Sequence, residues 1–95
     1  MSQYELMTIT KIGMGEDGAR SVSNQIKDLI SSGKGKVLNS DFWGKRKFAY
    51  EINHEREGFY EVMTFEVAPE FVPTFKTKLN YISGLVRYLV TSIEE

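Results

Sequence analysis

The order in which hydrophobic periodicity changes along the chain is the feature that most restricts its fold. Four segments carry the apolar and β-branched pattern of strands, and two carry apolar residues three and four apart, as in amphipathic helices. The helical segments separate the first strand from the second and the third from the fourth. The sequence therefore predicts the order β-α-β-β-α-β, with strands over residues 4–12, 36–52, 59–67 and 85–93.

Acidic residues and glycines mark the limits of the first predicted helix. Glu16 and Asp17 precede its apolar stripe, and negative charge is favoured there because the first backbone N–H groups of a helix are unpaired. We expect Gly33 and Gly35 to end the helix, since glycine adopts the left-handed cap conformation without strain. The predicted buried stripe consists of Val22, Ile26, Leu29 and Ile30.

Prolines mark the start of the second predicted helix. Pro69 and Pro73 fit its first turn, where proline is tolerated because the N–H that it lacks has no helical partner anyway. Ser83 and Gly84 are expected to end it. Its buried stripe is predicted to contain Val72, Phe75, Leu79 and Ile82.

The second strand is long and includes an irregular segment. Residues 41–44 are expected to form a bend or bulge, and residues 53–58 a polar hairpin turn to the third strand. Trp43 fits either the core beside the bend or a surface offered to a partner, and we favour the core. Tyr50 is predicted to be a core side chain, on the same face of the strand as Phe48 and Ile52.

This element order is that of the α+β, ferredoxin-like split β-α-β fold. We expect one domain over residues 1–95, with an antiparallel four-stranded sheet and both helices on one of its faces. The face without helices is predicted to carry a set of apolar residues. This follows from the alternation in the third and fourth strands and from one of the two possible orientations of the first strand. The members of the set are Met7, Ile9, Tyr60, Val62 and Leu89.

An uncovered apolar face of this size is unusual on a monomer, so we expect a partner protein, a second copy or nucleic acid to cover it. The alternative is that these residues are scattered apolar side chains that need no partner. The five residues are the predicted partner-binding set.

Cations cluster around the second strand. Lys34, Lys36, Lys45, Arg46 and Lys47 are five of the 12 basic residues, yet the net charge of the whole chain is −1. A stand-alone, nonspecific nucleic-acid binder is expected to be clearly basic, so any polyanion site must be local and small. The alternative is a solvated strand edge whose lysines deter aggregation.

Catalysis, metal binding and cofactor binding find little support. The chain has no cysteine and one histidine, His54, which lies in the predicted hairpin turn without metal-ligand spacing around it. We expect no catalytic residue, metal, cofactor or small-molecule substrate. No apolar run approaches the ~18 residues of a membrane span, and the first residues show no signal-peptide pattern, so we expect no membrane partner and a cytoplasmic location.

The RNA-recognition motif shares this topology and stacks bases on third-strand aromatics. Its octamer, laid on residues 57–64, matches at Gly58, Phe59 and Val62, but Glu61 occupies a stacking position. A carboxylate there excludes sequence reading of single-stranded RNA in that manner.

The segment around the cations resembles the signature of bacterial small-subunit ribosomal protein six. The matching residues are Gly44-x-Arg46-x-Phe48-Ala49-Tyr50-x-Ile52-Asn53, Gly58-Phe59-Tyr60, Tyr4-Glu5, Val37 and Val86-Arg87. The resemblance implies a structural, non-catalytic protein that binds the central domain of small-subunit ribosomal RNA as a heterodimer with ribosomal protein eighteen. Arg46 and Arg87 match basic positions of the family and are predicted to face RNA. Clustering alone adds Lys45, Lys47 and Lys36 to this predicted RNA-binding set.

The alternative function is a non-ribosomal ferredoxin-like interaction or regulatory domain that self-associates through its open sheet.

Overall fold

A computed structural model describes the backbone of residues 1–52 and 55–93, and the side chains of residues 1–47 and 56–93. The predicted element order is confirmed. The strands are β1 (Ser2–Lys11), β2 (Lys36–Ile52), β3 (Glu55–Val67) and β4 (Leu85–Ser92). The helices are α1 (Gly15–Ser32) and α2 (Val72–Leu79), each preceded by a short 3-10 turn, at Ile12–Met14 and Pro69–Phe71.

The four strands form one antiparallel sheet in the order β2-β3-β1-β4. β3 and β1 are central, whereas β2 and β4 are the edges. Both helices supply buried residues to the same core, so they cover one face of the sheet and leave the other open. We call the uncovered side the open face. The predicted ferredoxin-like fold is confirmed.

The core lies between the sheet and the two helices. Phe65 and Phe75 are fully buried, with ring centroids 5.2 Å apart, and they join β3 to α2. Three of the four stripe residues predicted for α1 are buried, and Leu29 packs against the cluster partly exposed. In α2 the prediction holds for Phe75 and Leu79, while the helix ends at Leu79, short of Ser83. Burial of these apolar side chains is the main force that holds the layers together.

The hairpin between β2 and β3 is longer than predicted. β3 begins at Glu55, so part of the polar segment that was expected to turn belongs to the strand. The predicted bulge is confirmed, because the β2–β3 register shifts between Phe42 and Gly44. The prediction for Tyr50, and those for the side chains of Phe48 and Ile52, fall outside the described side chains. So does His54.

Helix α1 ends differently from the prediction. Gly33 has a φ of −89°, and the residue in the left-handed conformation is Lys34, with a φ of 63°. The N–H of Gly35 donates to the carbonyl of Ile30, and that of Lys34 donates to the carbonyl of Ser31. This is the Schellman arrangement, with a lysine at the position that usually holds glycine. The assignment of the left-handed position to a glycine was therefore wrong.

Replacing Lys34 by glycine is expected to stabilise the protein by roughly 0.5–1 kcal/mol. A side chain at a positive φ costs conformational energy that glycine avoids, although glycine loses more entropy on folding. Urea denaturation measures the change. Lys36→Gly is the matched control, because it removes the same charge from an extended strand position and is expected to destabilise the protein. A lower stability of Lys34→Gly would show that the lysine side chain stabilises the cap.

In the part of the chain that the structure describes, no helix is long and apolar enough to cross a membrane.

Candidate nucleic-acid and protein interface

Cross-strand pairing arranges the open face in rows. One row runs from Gly44 to Tyr60, Ile9 and Arg87, in four successive strands. The neighbouring row contains Val62, Met7 and Leu89. Side chains of directly paired residues point to the same side of a sheet. The five residues predicted for partner binding therefore share one face.

These five residues differ in how much surface they offer. Leu89 is 56% exposed, and Met7, Tyr60 and Val62 are half-buried. Ile9 is only 4% exposed, because Tyr60 and Arg87 flank it in the neighbouring strands. Ile9 is thus on the expected face but is too buried for a partner to contact it substantially. The accessible apolar surface is Met7, Val62 and Leu89, which we call the apolar patch.

The three consecutive cations of β2 do not form one group. Arg46 pairs with Gly58 and lies on the open face. Lys45 and Lys47 pair with Phe59 and Glu57, and strand alternation places them on the opposite side. All three side chains are exposed. The three cations adjacent in sequence therefore do not face one surface together, since a strand sends neighbouring side chains to opposite faces. That they contact RNA stays a prediction.

Lys36 is also separated from that segment. It pairs with Glu66 at the far end of β2. Ten residues of strand separate it from Arg46, and at ~3.3 Å per residue the two positions lie roughly 30 Å apart. Proximity in sequence therefore does not bring Lys36 into the same site.

The pairing register of the strands places a different cation near Arg46. Gly58, the partner of Arg46, also pairs with Lys11 on its other side. Lys11 is exposed and shares the open face. Together with Arg87, which is exposed in the adjacent row, it gives a group of three cations at one end of the open face. We call Arg46, Lys11 and Arg87 the basic end. Sequence reasoning missed Lys11 because its proximity to Arg46 depends on the pairing register of β1, β2 and β3, which no short segment encodes.

Trp43 is on this surface and not in the core, contrary to the prediction. Its side chain is 44% exposed, and its ring lies parallel to that of Tyr60, with an interplanar angle of 3° and centroids 6.5 Å apart. The indole N–H donates to the carboxylate of Asp41 at 2.9 Å. Because two residues of a bulge oppose one on the neighbouring strand, Trp43 and Gly44 both lie opposite Tyr60. Phe42, the preceding residue, lies on the helix side of the sheet, where it is partly exposed and stacks on Phe59.

Glu61 lies on the helix side of the sheet and is 6% exposed. Its Oε2 accepts hydrogen bonds from Ser23 at 3.0 Å and from Ser40 at 2.7 Å, which links α1, β2 and β3. Glu61 and Phe59 thus point away from the open face. Stacking in the manner of the RNA-recognition motif is therefore excluded for a different reason. The two residues at the motif's stacking positions in β3 face the helices, and Tyr60 is the aromatic of β3 that lies on the open face.

The described residues contain no set of side chains arranged as metal ligands. Among residues 1–47 and 56–93, no group of three His, Cys, Asp or Glu side chains is arranged to hold an ion. The open face combines cationic, aromatic and apolar groups.

Comparisons with known proteins agree with this picture. The family described as Ribosomal protein S6 matches residues 3–92. The chain is 38% identical over 90 residues to the small ribosomal subunit protein bS6 of Symbiobacterium thermophilum, covering 95% of each sequence. It is 32% identical over 95 residues to bS6 of Clostridium perfringens, covering both completely. Its structure is similar to the crystal structure of 30S ribosomal protein S6 from Thermotoga maritima, with a TM-score of 0.91 and 26% identity over 97% of this chain and 87% of that one. The chain therefore belongs to the ribosomal protein S6 family.

Proposed function

We propose that this protein is a structural constituent of the small ribosomal subunit, located on cytoplasmic ribosomes, and that it binds small-subunit ribosomal RNA together with a protein partner. Its relatives are named as small-subunit ribosomal proteins and not as enzymes, which supports a non-catalytic role in translation. The resemblance described above implies the central domain of the RNA as the binding site and ribosomal protein eighteen as the partner.

The observation that carries this proposal is the adjacency of two chemically different surfaces on the open face. The basic end suits phosphate groups, and the apolar patch suits a protein surface. Arg87 and Leu89 are two residues apart on β4 and point the same way, so the two surfaces are contiguous. One ligand of each kind is able to bind at the same time.

The charge of the chain implies that the two ligands bind cooperatively. The net charge is −1, so the electrostatic contribution of the whole chain to RNA binding is weak. Three cations at the basic end neutralise only a few phosphates. A basic partner docked on the apolar patch would extend this small surface, and the complex would bind RNA that the isolated chain holds poorly.

Arg46→Ala and Arg87→Ala test this proposal. With the partner present, each variant is expected to bind a central-domain RNA fragment about tenfold more weakly, because one charge-assisted hydrogen bond to phosphate is lost. The slope of log K against log salt is expected to fall by about 1 for each variant. Filter-binding titrations at several salt concentrations measure both quantities.

Lys78→Ala is the matched control for these two variants. It removes one exposed cation from α2, on the other side of the sheet, and is expected to leave affinity and slope unchanged. All three variants are expected to unfold within ~0.5 kcal/mol of the parent protein. Unchanged RNA binding by both arginine variants would contradict the placement of the RNA site at the basic end.

Self-association through the open face is the second candidate function, because Leu89 is 56% exposed on a sheet that the helices leave uncovered. Co-sedimentation with small ribosomal subunits after a high-salt wash separates the two candidates. A homodimer in solution that is never recovered with the subunit would favour self-association.

A further inference from the structure

The side chains of Trp43 and Tyr60 form an aromatic platform at the edge of the open face. Their rings are parallel within 3°, and the centroids are 6.5 Å apart. Almost half of the Trp43 side chain is exposed, although an indole of this size is usually mostly buried. The aromatic of this segment that lies on the helix side of the sheet is Phe42. The exposed ring is therefore not a consequence of packing the interior.

The platform is held in position by its surroundings. The hydrogen bond from the indole N–H to Asp41 fixes the rotation of the ring, and it satisfies the polar atom of the indole. The next residue, Gly44, has a φ of 80°, a conformation that the bulge requires and that other residues rarely adopt. Tyr60 is on the central strand β3, between β2 and β1. A ring fixed in this way loses little entropy when a ligand stacks on it.

Two cations lie on the same face as the platform, and the carboxylate of Asp41 is bonded to its indole N–H. Arg46 follows Trp43 along β2, and its Nη1 donates to the carbonyl of Lys45, the residue before it. Arg87 lies in the same row as Tyr60, two strands away, which corresponds to roughly 10 Å. A flat, fixed aromatic surface with cations on two sides matches a nucleotide, which presents a flat base beside an anionic backbone.

We propose that the exposed part of the Trp43 indole stacks on an unpaired base of the ribosomal RNA, while Arg46 and Arg87 bind the neighbouring phosphates. This inference rests on the proposed function, and it adds the chemistry by which the RNA is held. The indole N–H is already bonded to Asp41, so the ring offers its π-face and no hydrogen bond. The site therefore selects an unpaired nucleotide over a duplex without selecting which base it is.

A protein side chain is the competing occupant, since tryptophan and tyrosine are common at protein interfaces. The distribution of charge favours RNA. The platform adjoins the basic end, where a basic partner protein would be repelled. The apolar patch lies one row further along the sheet, and it offers that partner a surface without cations.

The protein provides its own probe, because Trp43 is the only tryptophan of the sequence. Its fluorescence would be measured for the full chain alone, with the protein partner of the proposed function, and after addition of a central-domain RNA fragment. Stacking on a base is expected to quench the emission when RNA is added to the protein complex. An RNA of the same length that is fully base-paired is expected to produce little quenching.

Substitutions give a second measurement. Trp43→Leu is expected to weaken RNA binding roughly 10- to 100-fold, whereas Trp43→Phe, which keeps an aromatic face, is expected to lose less than about fivefold. Tyr81→Leu is the matched control, because Tyr81 is 83% exposed on the helix side and its loss should leave binding unchanged. Circular dichroism melts show whether the variants are folded. We expect them to be, because both side chains are exposed.

Three results would overturn the inference. Parental RNA affinity of Trp43→Leu, with salt dependence intact, would refute stacking and leave the proposed function standing. A change of emission on addition of the partner protein, with no further change on addition of RNA, would assign the platform to the protein interface. Absence of RNA binding by the folded complex would refute the proposed function and the inference together.

Discussion

Phe65→Ala is expected to lower the free energy of unfolding by about 4 kcal/mol. Phe65 is completely buried on the central strand β3, and its ring centroid lies 5.2 Å from that of Phe75 and 5.6 Å from that of Tyr4. Truncation to alanine removes the contacts that join β1, β3 and α2. Three elements converge on the cavity, so none of them can close it without losing its other contacts.

The loss is large relative to the stability of a domain of this size. A chain of 95 residues buries only about 60–65% of its unfolded surface, and we expect a total stability towards the lower end of ~5–15 kcal/mol. In urea denaturation, the variant is expected to have a midpoint concentration far below that of the parent. The dependence of its unfolding free energy on urea concentration is expected to be similar. Tyr81→Ala removes an aromatic of comparable size from the surface and is expected to change stability by less than ~0.5 kcal/mol. A loss below about 1.5 kcal/mol for Phe65→Ala would indicate that the core repacks.

The position of Phe65 could be predicted from the sequence because its strand is central. β3 has neighbours on both sides and helices on one face, so its side chains alternate cleanly between core and open face, from Phe59 to Val67. The same pattern identified Tyr60 and Val62 as open-face residues. Periodicity of this kind is local, and it is sufficient to predict the element order and most of the core.

The composition of the site depends on register, which is not local. Whether Lys11 or Lys36 lies near Arg46 depends on which residues of three strands pair, and no short segment encodes that pairing. The bulge could be located from the sequence, but the residue that it turns outward could not. Trp43 was therefore predicted in the core, although Phe42 is the aromatic of this segment that lies on the helix side.

The end of α1 shows a related limit. Two glycines on either side of Lys34 indicated a cap, and the cap is there, but the left-handed residue is the lysine between them. Glycine at position 35 is explained by space and not by backbone conformation. A Cβ atom at this position would lie 2.6 Å from the carbonyl oxygen of Glu66, and 3.0 Å from that of Ile30. A single sequence does not distinguish these two reasons for a glycine.

Gly35→Ala is accordingly expected to destabilise the protein by about 2 kcal/mol, the middle of the range for overpacking. Two of the three atoms in the way belong to the backbone, and the third is Cγ2 of Ile30, so rotation of the Ile30 side chain alone does not relieve the contact. Glu66 is in β3, where it pairs with Lys36, and the carbonyl of Ile30 accepts the hydrogen bond of Gly35 that closes the helix. Relief therefore requires α1 to move away from the sheet or the first pair of the β2–β3 ladder to open.

Gly13→Ala is the matched control for this substitution. No atom lies within 4 Å of a Cβ at Gly13, and its φ is not positive, so the alanine fits. It is expected to be neutral or to stabilise by up to ~0.5 kcal/mol, since alanine restricts the unfolded chain. Hydrogen exchange provides the structural readout, because opening at Gly35 should expose amides at the start of β2 and leave those of β1 and β4 protected. Equal stability of the two variants would show that α1 and β2 shift without cost, and that the close approach of Gly35 to Glu66 is not what requires glycine there.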